Sequence, residues 1–170
     1  MQELIYGDVF FVIDEEGLDY TYRLRPAKNF GTSFTDELFK RKRKNIVITD
    51  PLDACQSLKN AHELVGNIAL IERGDCSFLT KVIAVEAAGA IGAIVTDLSK
   101  DMTNDYYIEM IHDESKREAN IPAGYLLGSN GRMIINRLQK LGLDQAPITI
   151  PVNMTRLPSD NLNSPPWAIS

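Results

Sequence analysis

The chain has 170 residues, 44% of them apolar, which suffices for one ordinary domain with a core of its own. Its formal charge of −5 argues against a general nucleic-acid binder, because counterion release needs a basic face. No apolar run approaches the roughly 20 residues that span a bilayer, so the sequence predicts a soluble chain without a membrane partner.

Asp8 to Ile13 is apolar and rich in β-formers, Glu15-Glu16-Gly17 supplies a turn, and Tyr20 to Leu24 alternates as a strand does. Residues 26–39 show no period and read as loop. Lys40 to Lys44 is an unbroken basic run, read as a solvated loop. Its rival readings are a polyanion contact or an imperfect furin-type site, with Lys40 where arginine is wanted ahead of Arg43. Ile46 to Ile48 is a short buried strand. Ile68 to Ile71 is another, ending at Glu72-Arg73-Gly74-Asp75.

A helix is expected from about Ser77 to Ala88, with Leu79, Val82, Ile83 and Ala87 on its inner face and Lys81 and Glu86 elsewhere. Gly89 stands where a left-handed C-cap is wanted, and Gly92 to Thr96 is the next strand. The two strands flanking this helix should therefore run parallel, as in a β-α-β unit. Asp97 to Asp105 is polar, and Tyr106 to Met110 follows it. Ile121-Pro122-Ala123 leads into a strand at Tyr125 to Leu127. Asn130 or Ser129 is the expected cap of a second helix, with Met133, Ile134, Leu138 and Leu141 inward and Gly142 at its end. Ile148 to Val152 is a last strand, and Pro151 suggests an edge position. The prolines at 158, 165 and 166 predict a tail with no packed structure of its own.

The run Leu70-Ile71-Glu72-Arg73-Gly74-Asp75-Cys76-Ser77-Phe78, then Lys81, then Ala88-Gly89-Ala90-Ile91-Gly92-Ala93-Ile94-Val95, resembles the signature of the protease-associated domain family. Ile121-Pro122-Ala123 before an apolar strand is similar to a later segment of that family, and the likeness spans about residues 46–152. The resemblance implies a mixed α/β fold, a β-sandwich-like core with flanking helices. One such domain would cover residues 1–155, with an N-terminal strand extension and a proline-rich tail over 156–170. It also implies a non-catalytic module that binds a peptide or protein. The alternative is an accessory subunit acting in trans on a separate extracellular protease.

Family members commonly pair cysteines at the places of Cys55 and Cys76, so the resemblance implies a disulfide here; two free thiols are the competing reading. Closing a loop of about 20 residues stabilises by about 3 kcal/mol on the chain-entropy model. In related sorting receptors the loop matching Arg73, Gly74 and Asp75 contacts cargo peptide, with the segment matching Ile121 and Pro122 near it. Arg73 offers a planar fork of donors, and Asp75 either accepts from a peptide or caps the helix. Arg73-Gly74-Asp75 also spells the integrin-binding tripeptide, which needs a flexible loop where this one is flanked by Cys76 and a helix start.

The residues predict no enzyme, metal or cofactor. The only histidines are His62 and His112, and no Gly-x-Ser-x-Gly occurs. The nearest approach to a cation site is Glu109 with Asp113, which share a face only if that piece is helical; a solvated acidic patch is the plainer reading. Asn153-Met154-Thr155 is a glycosylation sequon. Met1 opens directly onto Gln-Glu-Leu-Ile without a leader, yet the cysteines and the sequon together predict a secreted glycoprotein whose signal peptide is not in this sequence.

Overall fold

A computed structural model describes residues 7–34, 43–99, 105–152 and 165–167. Among these residues seven short strands and two α-helices follow in the order β1 (Val9–Ile13), β2 (Thr21–Pro26), β3 (Lys44–Ile48), β4 (Ile68–Glu72), α1 (Phe78–Ala87), β5 (Gly92–Thr96), β6 (Ala123–Leu126), α2 (Gly128–Lys140) and β7 (Gln145–Thr149). They form one closed barrel in the order β1-β2-β6-β5-β4-β3-β7. β3, β4, β5 and β6 run parallel to their neighbours within that group, and the remaining pairs are antiparallel. The mixed α/β class holds, but the sandwich-like core does not. Val12 and Ile13 of β1 pair with Thr149 and Ile148 of β7, so a single sheet closes on itself instead of splitting into two stacked layers.

Strand alternation sorts the core into two halves. Phe11, Tyr22, Leu24, Ile46, Leu70, Ile94, Leu126 and Ile148 come from all seven strands and fill the barrel interior, joined by Ile134 and Leu138 of α2. Val47, Ala69, Ile71, Val95 and Tyr125 occupy the alternate positions of β3 to β6. Leu79, Val82 and Val85 of α1 cover them, together with Tyr107 and Met110. This explains why β4, β5 and β6 are apolar along almost their whole length: both faces are buried.

The helices differ in phase from the sequence reading. In α1 the buried side chains are Leu79, Lys81, Val82 and Val85, while Ala87 is exposed. Lys81, expected outward, has no exposed surface. Helix α2 begins at Gly128 with Leu127 as its N-cap and no side-chain cap, so neither Ser129 nor Asn130 serves that role. The earlier start moves its inner stripe to Gly131, Ile134, Ile135 and Leu138, leaving Met133 and Leu141 exposed. A Cβ at Gly131 would collide with the Thr96 side chain, so α2 reaches the end of β5 only because that residue is glycine.

Gly89 does adopt the left-handed conformation, at φ +100°, just past the α1 C-cap, and the flanking β4 and β5 are parallel as expected. Residues 105–113 form no helix. β7 is bonded on both sides and ends before Pro151, which therefore marks no sheet edge. Lys44, read as part of a solvated run, opens β3 and is buried; Lys40 to Lys42 lie outside the described residues. The tail is not wholly unpacked either, since Trp167 rests on the barrel core.

Candidate functional site

β4 leaves the sheet at Glu72 and turns sharply before α1. The Arg73 N–H still donates to Thr96 O at 2.9 Å, and the Cys76 N–H donates to Gly74 O at 2.9 Å, so the bend takes only a few residues. Gly74 at φ +116° and Asp75 at φ +69° make the reversal; the first suits glycine and the second is tolerated by aspartate. Ser77 then caps α1, its Oγ accepting from the Thr80 N–H at 3.0 Å. Capping thus falls to Ser77.

Two devices hold this bend from beneath. Cys55 and Cys76 are disulfide-bonded, with Cα atoms 5.9 Å apart, as the resemblance implied. The buried Lys81 donates from Nζ to Gly74 O at 2.6 Å and Asp53 O at 2.8 Å, with Cys55 Sγ at 3.4 Å. The ammonium thereby spends its three protons on the two loops that the disulfide joins. Burial lowers the Lys81 pKa, and the nearby Asp53, Asp75 and Glu72 carboxylates oppose that shift. Glu72 is raised, chiefly by burial and then by Asp53. Asp53 is lowered, first by the Cys55 N–H, against the opposing effect of burial.

Above this base the bend faces outward. Arg73, Gly74 and Asp75 are all exposed. The Arg73 guanidinium sits 3.3 Å from Asp97 Oδ2 and 5.8 Å from the Phe78 ring centroid, with 43% of its side chain still open to solvent. Beside it a cavity of about 340 Å³ is lined by Arg73, Gly74, Cys76, Ser77, Phe78, Ile111, His112 and Asp113. Ile111 is 54% exposed on its wall. The far wall belongs to residues 111–113, which are tied to α1. Asp113 Oδ2 accepts from Ser77 Oγ and from Arg117 Nη2, both at 2.7 Å, and Arg117 Nη2 also donates to Thr80 Oγ1 at 2.9 Å. Hydrogen bonds from Ser115 and Ser77, with Arg117 beside them, hold the Asp113 carboxyl well below the usual carboxylate range. The arrangement offers a charged donor fork and an apolar wall on a rigid frame, which suits recognition of an extended chain with an acidic or carbonyl-rich face.

The second predicted contact segment is not part of this surface. Pro122 is buried, with its carbonyl accepting from the Ala93 N–H at 2.9 Å, and Ile121 O accepts from the Thr32 N–H at 3.2 Å. Ala93 lies next to the start of β5 and Thr96 ends it, so Arg73 and Ile121 lie at opposite ends of that strand, separated by about 10 Å of extended backbone. A larger cavity of about 640 Å³ lies at the Ile121 end, between residues 26–34 and 118–120.

Glu109 pairs with Lys28 at 3.4 Å and Asp113 with Arg117, so the two carboxylates do not converge. Among the described residues no group of three or more His, Cys, Asp or Glu side chains is placed to hold a metal ion, and no helix is long and apolar enough to cross a membrane. Asn153 lies outside the described residues. Sequence reasoning missed the roles of Lys81, Ile111 and Asp113. A lysine within an amphipathic helix reads as solvent-facing, and the 111–113 segment carries no period that would attach it to α1.

Comparison with known proteins places these features in context. A family model described as PA domain matches residues 42–134. The PRADC1-like protein of Drosophila melanogaster is 52% identical over 168 residues, covering 98% of this chain and 84% of that protein. ER degradation-enhancing alpha-mannosidase-like protein 3 of Homo sapiens is 31% identical over 104 residues, 59% of this chain but 11% of its own length. Among solved structures, the zinc aminopeptidase BSAP from Bacillus subtilis aligns with a TM-score of 0.55 at 17% identity, over 87% of this chain and 31% of its own. A peptidase M28 precursor from Shewanella amazonensis SB2B gives 0.58 at 14% identity, over 84% and 33%. At those identities the two structures speak for the fold alone, and this chain spans about a third of each.

Proposed function

The chain belongs to the PA domain family, and from that premise we propose that it is a secreted, non-catalytic glycoprotein that binds peptides or proteins at the Arg73–Cys76 bend. The observation that carries the reading is the construction of that bend. Its exposed donors stand on a base fixed by the Cys55–Cys76 disulfide and by Lys81, next to a cavity with an exposed apolar wall. A pre-organised surface of this kind loses little entropy when a flexible segment settles on it. A disulfide suits an oxidising compartment, and the Asn153 sequon suits passage through the secretory pathway. Arg73 is the anchor, because its fork is only partly engaged by Asp97.

A second reading, an accessory subunit acting in trans on a separate extracellular protease, draws on the names of the structural neighbours, which are peptidases. Affinity capture from extracellular fluid, run in parallel with an Arg73→Ala chain, tests both. Peptides or non-proteolytic proteins lost on substitution support the first reading, and a captured peptidase supports the second. Identical captures by both chains would remove the bend from consideration.

A further inference from the structure

Next to the Arg73 bend, the 111–117 segment is folded around one imidazole. His112 keeps only 13% of its side chain exposed, and both ring nitrogens are engaged. The Glu114 N–H donates to Nδ1 at 2.8 Å, so that nitrogen has to be a bare acceptor. Nε2 lies 2.9 Å from Arg117 O, which can only accept, so the ring proton sits on Nε2. The two bonds select the same neutral tautomer. The first closes a tight turn in the way an asparagine or aspartate side chain does, by accepting from the amide two residues on. It also holds Glu114 at φ +63°, a conformation that glutamate seldom adopts. The His112 N–H in turn donates to Asn29 Oδ1 at 2.7 Å, tying the turn to the segment after β2.

We propose that His112 is a proton-operated latch on this wall of the cavity: the neutral ring holds the Glu114 turn closed, and the imidazolium releases it. A proton added at Nδ1 sets two donors, Nδ1–H and the Glu114 N–H, against each other, and the bond between them is lost. The charged ring has carboxylates to turn to. Asp113 Oδ1 is 3.9 Å from Nδ1 and Glu118 Oε1 is 3.3 Å from Nε2. Glu114 and Lys116 of the same segment are exposed. The elements packed around it set no unpaired cation against the ring. On α1, Ser77 and Thr80 are neutral and Glu86 accepts from the Asn120 N–H. Asn29 is neutral, and Lys28 beside it pairs with Glu109. Arg117 is held by Asp113, and Arg73, which lines the same cavity, pairs with Asp97. Histidine is the side chain that ordinarily changes charge between about pH 5 and 8. The latch belongs to the wall itself and stands whether or not the bend binds a chain. On that reading of the bend, it makes the shape of the recognition surface depend on pH.

The ring and the turn are read together in the ¹⁵N-labelled full chain, with His62→Gln, at an exposed position, serving to assign the two histidines. At about pH 8, above the usual histidine range, a long-range ¹H–¹⁵N spectrum should find the His112 proton on Nε2 and a bare Nδ1. On titration into acid the Glu114 amide proton should move upfield, as a proton losing its acceptor does, with the same midpoint as the His112 ring. His112→Asn leaves an acceptor of the same reach that does not titrate, so in that chain the Glu114 amide should stay in place over the same range. Four results would each overturn the proposal. They are an Nδ1–H tautomer at about pH 8, a ring that stays neutral until the chain unfolds, a ring that titrates while the Glu114 amide does not follow, and an equal movement of that amide in His112→Asn.

Discussion

Replacing Lys81 with methionine is the sharpest probe of how the bend is held. Methionine keeps most of the buried stem, so packing along α1 is nearly conserved and the effect isolates the ammonium. The substitution removes charge-assisted hydrogen bonds to Gly74 O and Asp53 O, worth about 1.5–3 kcal/mol each. It also relieves the burial of a charge, which burial already disfavours here. Stranding two carbonyls outweighs that relief, and a net loss of about 3 kcal/mol is expected. For a domain of this size each kcal/mol moves the midpoint by about 2–4 °C, so Tm should fall by about 6–12 °C. Calorimetry in non-reducing buffer, with the disulfide intact in both chains, reads this directly. A variant within about 1 °C of the parent would mean that Lys81 is merely tolerated beneath the bend, and the account of a pre-organised site would fail with it.

Breaking the disulfide by substituting both Cys55 and Cys76 with serine should cost about 3 kcal/mol, seen as a lower denaturant midpoint with a steeper slope, because the unfolded chain without the cross-link exposes more surface. Gly131→Ala should destabilise markedly, because its new methyl meets the Thr96 side chain; an unchanged Tm would show that α2 can shift to accommodate it. Asp113 has a folded pKa below its unfolded value, so its contribution is present above the ordinary carboxylate pKa and is lost as pH falls through the folded one. The protection factor of the Ser115 amide, which donates to Asp113 Oδ1, should therefore fall in strong acid for the parent, whereas Asp113→Ala should lower it already at pH 7. Finally, glycosidase treatment of chain recovered from a secreting cell should lower its mass, and Asn153→Gln should abolish the shift.

The sequence was most legible where burial is two-sided. β4, β5 and the β-α-β connection between them follow from continuous apolar runs with a helical period between, and Gly89 marks the end of α1. Closure of the barrel was not legible. It depends on Ile13 meeting Ile148, residues far apart in the chain whose pairing no local pattern announces. Helix phase failed where residue type misleads: Met133 and Leu141 are apolar yet face solvent, and Lys81 is charged yet buried. The Cys55–Cys76 link and the outward Arg73 bend were anticipated from the resemblance. The joining of that bend to Ile121 and Pro122 was not sustained, because β5 holds them at its two ends. The anchoring of residues 111–117 on α1 rests on side chains such as Asp113 and Ser77, 36 positions apart, and only the folded chain brings them together.

Because each of the described strands has a bonded neighbour on both sides, the described barrel has no edge strand. A visiting polypeptide cannot be recruited by lengthening the sheet, the route open-edged binding modules use. On the proposed reading, recognition falls to the rims, where loops leave the strand ends. The same closure denies a second molecule any ladder on which to stack, a protection against fibrillar self-association that the fold carries whatever its loops come to bind.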